Sequence, residues 1–113
     1  MSVDAVAIAQ KQLDAYNAQD LALYCSFFTE DVVVADLNGA VSTDGLAAYE
    51  QRYRDAFAKF PNNKAALVSR MAISDTVIDY ERVERGDGVT APFDVIAIYT
   101  FRGGKIARVD FVK

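Results

Sequence analysis

The sequence predicts an α+β domain with helices packed on one face of a curved antiparallel sheet. Up to residue 60, apolar residues recur at spacings of three and four, the period of a helix with one buried face. From residue 66 onward the period changes to two, which is typical of strands. Glycine, asparagine and aspartate separate these later segments and indicate turns between them.

Three helices are predicted in the first half of the chain. The first runs roughly over residues 3–17, with Ser2 available as its N-terminal cap. Asp20 caps a shorter second helix. Thr43 or Asp44 is available to cap a third helix, which the sequence PNN then ends.

Strands account for the rest. In the segment FFTEDVVVADLNG, a turn at Glu30 and Asp31 leads into a first strand, and a brief partner follows at residues 40–42. The sequence RGGK at residues 102–105 predicts a two-residue hairpin. Four longer strands follow the helices: ALVSRMAIS, TVIDYERVE, FDVIAIYTF and KIARVDFVK.

Length and charge limit the classes of function. The 113 residues are sufficient for a single domain, 1–113, with 52% apolar and 25% charged residues. A net charge of -4 argues against a nucleic-acid partner, because phosphates are bound mainly by clustered lysine and arginine. No apolar run is long enough for a membrane span, and no secretory signal is present, so we expect no membrane partner and a cytoplasmic location.

Histidine is absent and Cys25 is the single cysteine, which removes the commonest members of catalytic triads and zinc sites. We therefore expect no metal and no cofactor, with Cys25 as a buried structural thiol. Any chemistry would depend on carboxylates, tyrosines and arginine.

Asp36 raises the main functional question. Alternation along a strand puts Asp36 on one face with Val32 and Val34. One interpretation is a hydrated strand end that caps the turn at residues 38–39. The other is a general base in an apolar pocket, where loss of hydration favours proton uptake.

Three segments resemble the nuclear transport factor 2 superfamily, in its SnoaL-like and steroid delta-isomerase-like branch. They are AYNAQDLALYCSFFTEDVVVADLNG, TDGLAAYEQRY and FRGGKIARVDF. The resemblance implies a cystatin-like cone, in which a bent sheet wraps round a long helix and encloses an apolar pocket. This fold supports isomerases, epoxide hydrolases, dehydratases, cyclases and binding proteins, so function must be argued from the pocket.

In the ketosteroid isomerases of this superfamily, a first-strand aspartate moves a proton on carbon while a tyrosine and a protonated aspartic acid bind the enolate. The resemblance places Asp36 at the base and Tyr53 at a supporting position. Gln12 and Ala97 occupy the positions of the two enolate donors. Authentic steroid isomerisation is therefore not expected, since one such donor can contribute ~10² to 10³ in rate.

Tyr16 and Tyr99 are the candidate replacement donors, because each lies close to a position that lost one. A mostly apolar wall is expected around them, suited to a small apolar or aromatic ligand. The residues predicted to line it are Gln12, Phe28, Val34, Phe93, Val95, Ala97 and Phe101.

A similarity to limonene epoxide hydrolase around ERVE implies a different site. Arg82 and Glu84 match an arginine and an acid that activate water there, and Asp110 approximates a second acid. A solvent-side ion pair is the alternative for Arg82 and Glu84. Asp79 and Glu81 occupy the opposite strand face, and the sequence leaves open which face is hydrated.

The leading hypothesis is a cofactor-independent enzyme that moves a proton on carbon. The alternative from a different class is a non-catalytic ligand-binding or dimerisation module of the same fold. We expect a homodimer, because Ile78 and Tyr80 share a strand face opposite Val77 and Val83, so neither face of the sheet is wholly polar.

Overall fold

The computed structural model describes residues 4–113, and this part of the chain contains three helices and six strands. In chain order the elements are α1 Ala5–Ala18, α2 Leu21–Cys25, β1 Phe28–Asp36, β2 Val41–Asp44, α3 Leu46–Lys59, β3 Lys64–Ile73, β4 Thr76–Glu84, β5 Phe93–Arg102 and β6 Lys105–Val112.

The six strands form one sheet in the order β2-β1-β6-β5-β4-β3. Strands β3 to β6 make an antiparallel meander, closed by the predicted hairpin in which Arg102 pairs with Lys105. Strands β1 and β6 are parallel, so the prediction of a wholly antiparallel sheet is wrong at this pairing. Parallel neighbours need a long connection, and the chain between β1 and β6 contains α3 and four strands.

Aspartate caps two of the helices. The carboxylate of Asp4 accepts a hydrogen bond from the backbone N–H of Ala7 at the start of α1. Ser2, the predicted cap, lies outside the described residues. The prediction that Asp20 caps α2 is confirmed, since its carboxylate accepts from the backbone N–H of Leu23.

The predicted caps of α3 are wrong. Thr43 and Asp44 both belong to β2, and Gly45 precedes the helix without a side-chain cap. Gly45 has a φ of 93°, a left-handed value that favours glycine, and its N–H donates to the carbonyl of Val32. The change of direction from strand to helix therefore depends on a glycine and not on a capping side chain.

Strand β1 begins earlier than predicted, and its last residue, Asp36, is exposed. There is no turn at Glu30 and Asp31, because the strand already starts at Phe28. Between Val34 and Ala35 the register with β2 shifts, and both residues are buried. The shift leaves out one residue of β2, while β1 stays in register with β6 as far as Asp36, which is exposed as the last residue of the strand.

The helices pack on the sheet through aromatic rings. The centroids of Phe28 and Tyr49 are 4.4 Å apart, and those of Tyr24 and Phe28 are 5.2 Å apart. The hydroxyls of Tyr24 and Tyr49 share a 2.6 Å hydrogen bond inside this core. These rings fill the space between β1, α2 and α3, so an open cavity has to lie elsewhere.

None of the helices within residues 4–113 combines the length and the apolar character needed to cross a membrane.

Candidate functional site

A cavity of about 140 Å³ lies between the helices and the inner face of β4, β5 and β6. Its wall combines aromatic rings with charged and polar groups, so it is more polar than the sequence predicts. The aromatic residues in the wall are Tyr16, Tyr24, Tyr53, Phe93, Tyr99 and Phe111. The charged residues in the wall are Arg52, Glu81, Arg85 and Lys113.

Glu81 is the acidic residue of this wall. It is 7% exposed, and its Oε2 is the single buried side-chain polar atom within residues 4–113 that has no hydrogen-bond partner. Burial, and next the charge of Asp79, raise the pKa of Glu81 to about 7, although the charge of Arg70 acts to lower it. An unpartnered buried acceptor costs about 1–3 kcal/mol, and a catalytic role is one of the explanations for such a group.

The nearby guanidinium of Arg70 is bound to a different carboxylate. Asp79 is fully buried, and its two oxygens accept from Nε and Nη2 of Arg70 at 2.6 and 2.9 Å. A third donor of Arg70, Nη1, binds Oε1 of Gln10 at 2.9 Å. This bidentate pair neutralises Asp79 and leaves Glu81 without a countercharge in contact.

Tyr99 is held so that its hydroxyl hydrogen can serve a ligand. Nε2 of Gln12 donates to the carbonyl of Ala9 at 3.0 Å, which fixes the orientation of the amide. The same Nε2 then donates to the Tyr99 hydroxyl oxygen at 3.2 Å, so this oxygen is an acceptor. Burial and the charges of Glu81 and Asp79 hold the pKa of Tyr99 well above its ordinary value, which keeps the hydroxyl hydrogen in place.

Tyr16 is held in the same manner from the other side. Nη1 of Arg85 donates to Oδ1 of Asn63 at 3.0 Å, so the amide nitrogen of Asn63 faces Tyr16 and donates to its hydroxyl oxygen at 2.7 Å. Burial, and next the neighbouring Tyr53, raise the pKa of Tyr16 to about 12. Both tyrosines of the cavity wall therefore stay protonated, and the hydroxyl oxygen of each accepts from an amide.

The predicted tyrosine donors and pocket-lining residues divide into two groups. Those that line the cavity are Gln12, Tyr16, Tyr53, Phe93, Val95 and Tyr99. Those that are packed in the core outside it are Phe28, Val34, Ala97 and Phe101. Rings from α2 and α3 fill the region around Phe28, which is why the cavity does not reach it.

The burial predicted for Asp36 is wrong. Asp36 is exposed outside the cavity wall, because it is the last residue of β1 and leads into the turn that follows the strand. Its carbonyl accepts from the N–H of Gly39, as in the alternative interpretation of a turn. The physical basis for a base at Asp36 is therefore absent.

The predicted epoxide-opening set also lies away from the cavity. Arg82 is more than half exposed and bonds Asp94 at 3.0 Å, and Glu84 is exposed. Asp110 is bound to Arg108 on the same outer face. Strand alternation brings Glu81, which the sequence reasoning left unassigned, to the inner face, and that alternation was the signal that could have identified it.

Within residues 4–113, no group of three or more cysteine, aspartate and glutamate side chains is arranged to hold a metal ion.

Comparisons with known proteins agree with this architecture. The chain is similar to an uncharacterized cystatin fold protein from Novosphingobium aromaticivorans, with 34% identity, a TM-score of 0.92, and coverage of 99% of this chain and 100% of that one. A candidate polyketide cyclase from Sinorhizobium meliloti has 23% identity and a TM-score of 0.80 over 93% of both chains. A candidate ketosteroid isomerase from Kribbella flavida has 16% identity and a TM-score of 0.80 over 95% of this chain and 75% of that one.

No curated protein matches the sequence. The SnoaL-like domain family matches residues 9–109, which is nearly the whole chain. With its cystatin-like, nuclear transport factor 2-like fold and this family match, the chain belongs to the SnoaL-like domain family.

Proposed function

We propose that the protein is an enzyme that moves a proton on a small molecule inside the cavity, with Glu81 as the general base. The observation that carries this proposal is a buried carboxylate in the cavity wall with a free Oε2 and a pKa raised to about 7. A base with a pKa near the working pH combines a populated charged form with a strong tendency to accept a proton.

The tyrosines supply the second half of the chemistry. When ionised Glu81 takes a proton from a carbon next to a carbonyl, negative charge develops on the carbonyl oxygen. The hydroxyl hydrogens of Tyr99 and Tyr16 would stabilise that charge, a role supported by the amides that already donate to both hydroxyl oxygens. Return of the proton from Glu81 to a different carbon completes an isomerisation. Attack of the enolate carbon on a second carbonyl, with the proton of Glu81 passing to the resulting alkoxide oxygen, completes a ring closure.

The cavity size limits the substrate. A cavity of about 140 Å³ is comparable to the ~150 Å³ engineered cavity that holds benzene in another protein. About one ring fits inside, and any larger part of the substrate extends through the mouth. The neighbours described as a candidate polyketide cyclase and a candidate ketosteroid isomerase support enzymatic action on small carbonyl compounds.

Deuterium exchange tests the proposal. The wild-type protein in D₂O should catalyse exchange of the CH₂ hydrogens of 2-indanone, followed by NMR, with a rate that rises with pH to a midpoint near 7. Glu81→Gln should reduce the catalysed rate by ~10² or more, while the shifts that report 2-indanone binding persist. Glu84→Gln, an exposed acid on the other face of β4, is the matched control.

Undiminished exchange in Glu81→Gln would remove Glu81 from the mechanism. Binding of 2-indanone without catalysed exchange by the wild type would instead support the alternative, a non-catalytic ligand-binding module.

A homodimer through the outer face of the sheet forms a second part of the proposal. Cross-strand partners place an apolar row on that face, with Met71 beside Ile78 and Ile78 beside Ile98. Met71 is 63% exposed. Two ion pairs on the same face, Arg82 with Asp94 and Arg108 with Asp110, are closed within one chain, so two copies can meet without unpaired like charges.

A further inference from the structure

Arginine pairing in this chain differs between the cavity and the rest of the surface. The sequence has seven arginines, and five of them form salt bridges with acids: Arg54, Arg70, Arg82, Arg102 and Arg108. The other two, Arg52 and Arg85, both line the cavity, and neither has a carboxylate within salt-bridge distance in the described part of the chain. Since acids outnumber bases 16 to 12, a shortage of carboxylates does not explain this.

Neutral groups hold both of these arginines in place. Nη1 of Arg52 donates to the hydroxyls of Ser42 and Thr43, both at 3.1 Å. The Cζ of Arg52 also lies 5.8 Å from the centroid of Phe111. These contacts fix the guanidinium without neutralising its charge, so its remaining N–H donors are oriented before a ligand arrives.

Arg85 is fixed in a similar way. Its Cζ lies 4.5 Å from the centroid of Phe60 and 5.0 Å from that of Phe93, and Nη1 donates to Asn63. Aromatic faces attract a guanidinium and leave its edge free for hydrogen bonds. The edge of Arg85 is therefore available for a planar anion.

The charged residues of the cavity wall differ in how deeply they are buried. Glu81 is 7% exposed, Arg52 and Arg85 are half-buried, and Lys113 is exposed. Among the charged residues of the wall, the acid is thus the most shielded from water and the three cations are more accessible to it. An anionic group on a ligand would be repelled by ionised Glu81 in the depth and attracted at the mouth.

We propose that the substrate is an apolar or aromatic carboxylic acid, with its ring beside Glu81 and its carboxylate at the mouth between Arg52 and Arg85. The carboxylate matches the bidentate donor geometry of guanidinium. The reaction that the bound acid would undergo rests on the proton-transfer function proposed above.

Two nearly isosteric probes test the assignment by NMR titration of the protein. Phenylacetate should bind at least about tenfold more tightly than phenylacetamide, because a charged hydrogen-bond partner contributes about ten- to a hundredfold in affinity. Arg52→Gln should reduce the affinity for phenylacetate about tenfold and leave that for phenylacetamide unchanged.

Each cavity arginine has a matched control on its own segment. Arg54, two residues after Arg52 in α3, is exposed and pairs with Glu50, so Arg54→Gln should leave both affinities unchanged. Arg82→Gln is the matched control for Arg85→Gln, because Arg82 is exposed and pairs with Asp94. Arg52→Lys keeps the positive charge but loses the paired N–H donors of the guanidinium. Its affinity for phenylacetate should therefore fall between those of the wild type and Arg52→Gln.

Equal affinities for phenylacetate and phenylacetamide in the wild type would overturn the assignment. Equal losses in Arg52→Gln and Arg54→Gln would overturn it too, since the effect would then be one of net charge. Amide spectra that match those of the wild type establish that each variant is folded.

The same probes separate this inference from the proposed function. Preference for phenylacetate that depends on Arg52, without exchange of 2-indanone, would retain anion recognition and reject proton transfer. Exchange of 2-indanone that depends on Glu81, without preference for phenylacetate, would retain proton transfer and reject the carboxylic acid.

Discussion

Glu81 and Asp79 lie two residues apart on the inner face of β4, and the cation beside this pair, Arg70, binds Asp79. Asp79 receives both oxygen contacts from Arg70, so its negative charge is balanced. Glu81 has no such partner and loses its hydration on folding, which raises its pKa to about 7. Two acids in one strand therefore differ in role because one guanidinium cannot pair with both.

The raised pKa of Glu81 predicts a pH-dependent cost in stability. Between pH 4.5 and about 7 the folded protein holds a proton on Glu81 that the unfolded chain has lost, so the free energy of unfolding falls as pH rises. The cost reaches about 3 kcal/mol above pH 7. Relative to wild type, Glu81→Gln should thus gain about 3 kcal/mol between pH 4.5 and pH 8, measured by urea unfolding.

The exposed Glu84→Gln variant supplies the reference for this measurement, because it should show no comparable change with pH. A difference between Glu81→Gln and wild type that is the same at pH 4.5 and pH 8 would contradict the assigned shift.

Removal of the guanidinium that pairs with Asp79 predicts two linked effects. Arg70→Met leaves a fully buried carboxylate unpaired, which should lower the free energy of unfolding by about 3–5 kcal/mol. Loss of this positive charge should also raise the pKa of Glu81 further, so the pH midpoint of 2-indanone exchange moves upward. Arg102→Met, which breaks an exposed pair with Asp31, should leave the free energy of unfolding almost unchanged.

A lower stability of Arg70→Met with an unchanged midpoint would show that Arg70 contributes to folding and has no influence on the base.

Between elements, the side-chain amide of Asn17 makes a pair of hydrogen bonds from helix α1 to the backbone of the edge strand β3. Nδ2 of Asn17 donates to the carbonyl of Ala65 at 2.9 Å, and its Oδ1 accepts from the N–H of the same residue at 2.8 Å. The side chain thus pairs with the strand as another backbone would. This contact places Tyr16, the preceding residue, against the start of β3 and next to Asn63.

Loss of this amide should destabilise the protein. Asn17→Ala leaves two backbone groups of the buried Ala65 unpaired, so the free energy of unfolding should fall by about 2 kcal/mol in urea unfolding. Asp14→Ala, on the same helix, removes an exposed hydrogen bond with Gln10 and should change it by less than about 0.5 kcal/mol. Equal effects in the two variants would mean that Asn17 has no special docking role.

For the whole molecule, the outer face of the sheet decides the oligomeric state that we propose. Ile98→Glu places a charge in the apolar row beside Ile78, so sedimentation velocity should show a dimer for wild type and a monomer for this variant, with an unchanged circular dichroism spectrum. Ala48→Glu, on the exposed side of α3, should remain dimeric. A wild-type monomer at every protein concentration would reject the proposed interface.

Local sequence patterns predicted most of the elements and, together with the family resemblance, six of the fifteen residues of the cavity wall. The period of two located β4 at Thr76–Glu84, and the glycine pair located the last hairpin. The same patterns could not predict the irregularity at Val34 and Ala35, because it depends on pairing with β2. The exposure of Asp36 was not predicted either, since the family resemblance placed a buried base there and the structure puts this residue at the exposed end of β1.

The sequence by itself determined the order of helices and strands, and it determined that Asp79 and Glu81 share a face opposite Arg82 and Glu84, because side-chain direction along a strand follows from local geometry. Only the tertiary structure decided which of these faces the helices cover. The hydration of Glu81, and with it its pKa, depends on that cover. The tertiary structure also brings Arg52 and Arg85, which are distant in the chain, into the wall of one cavity.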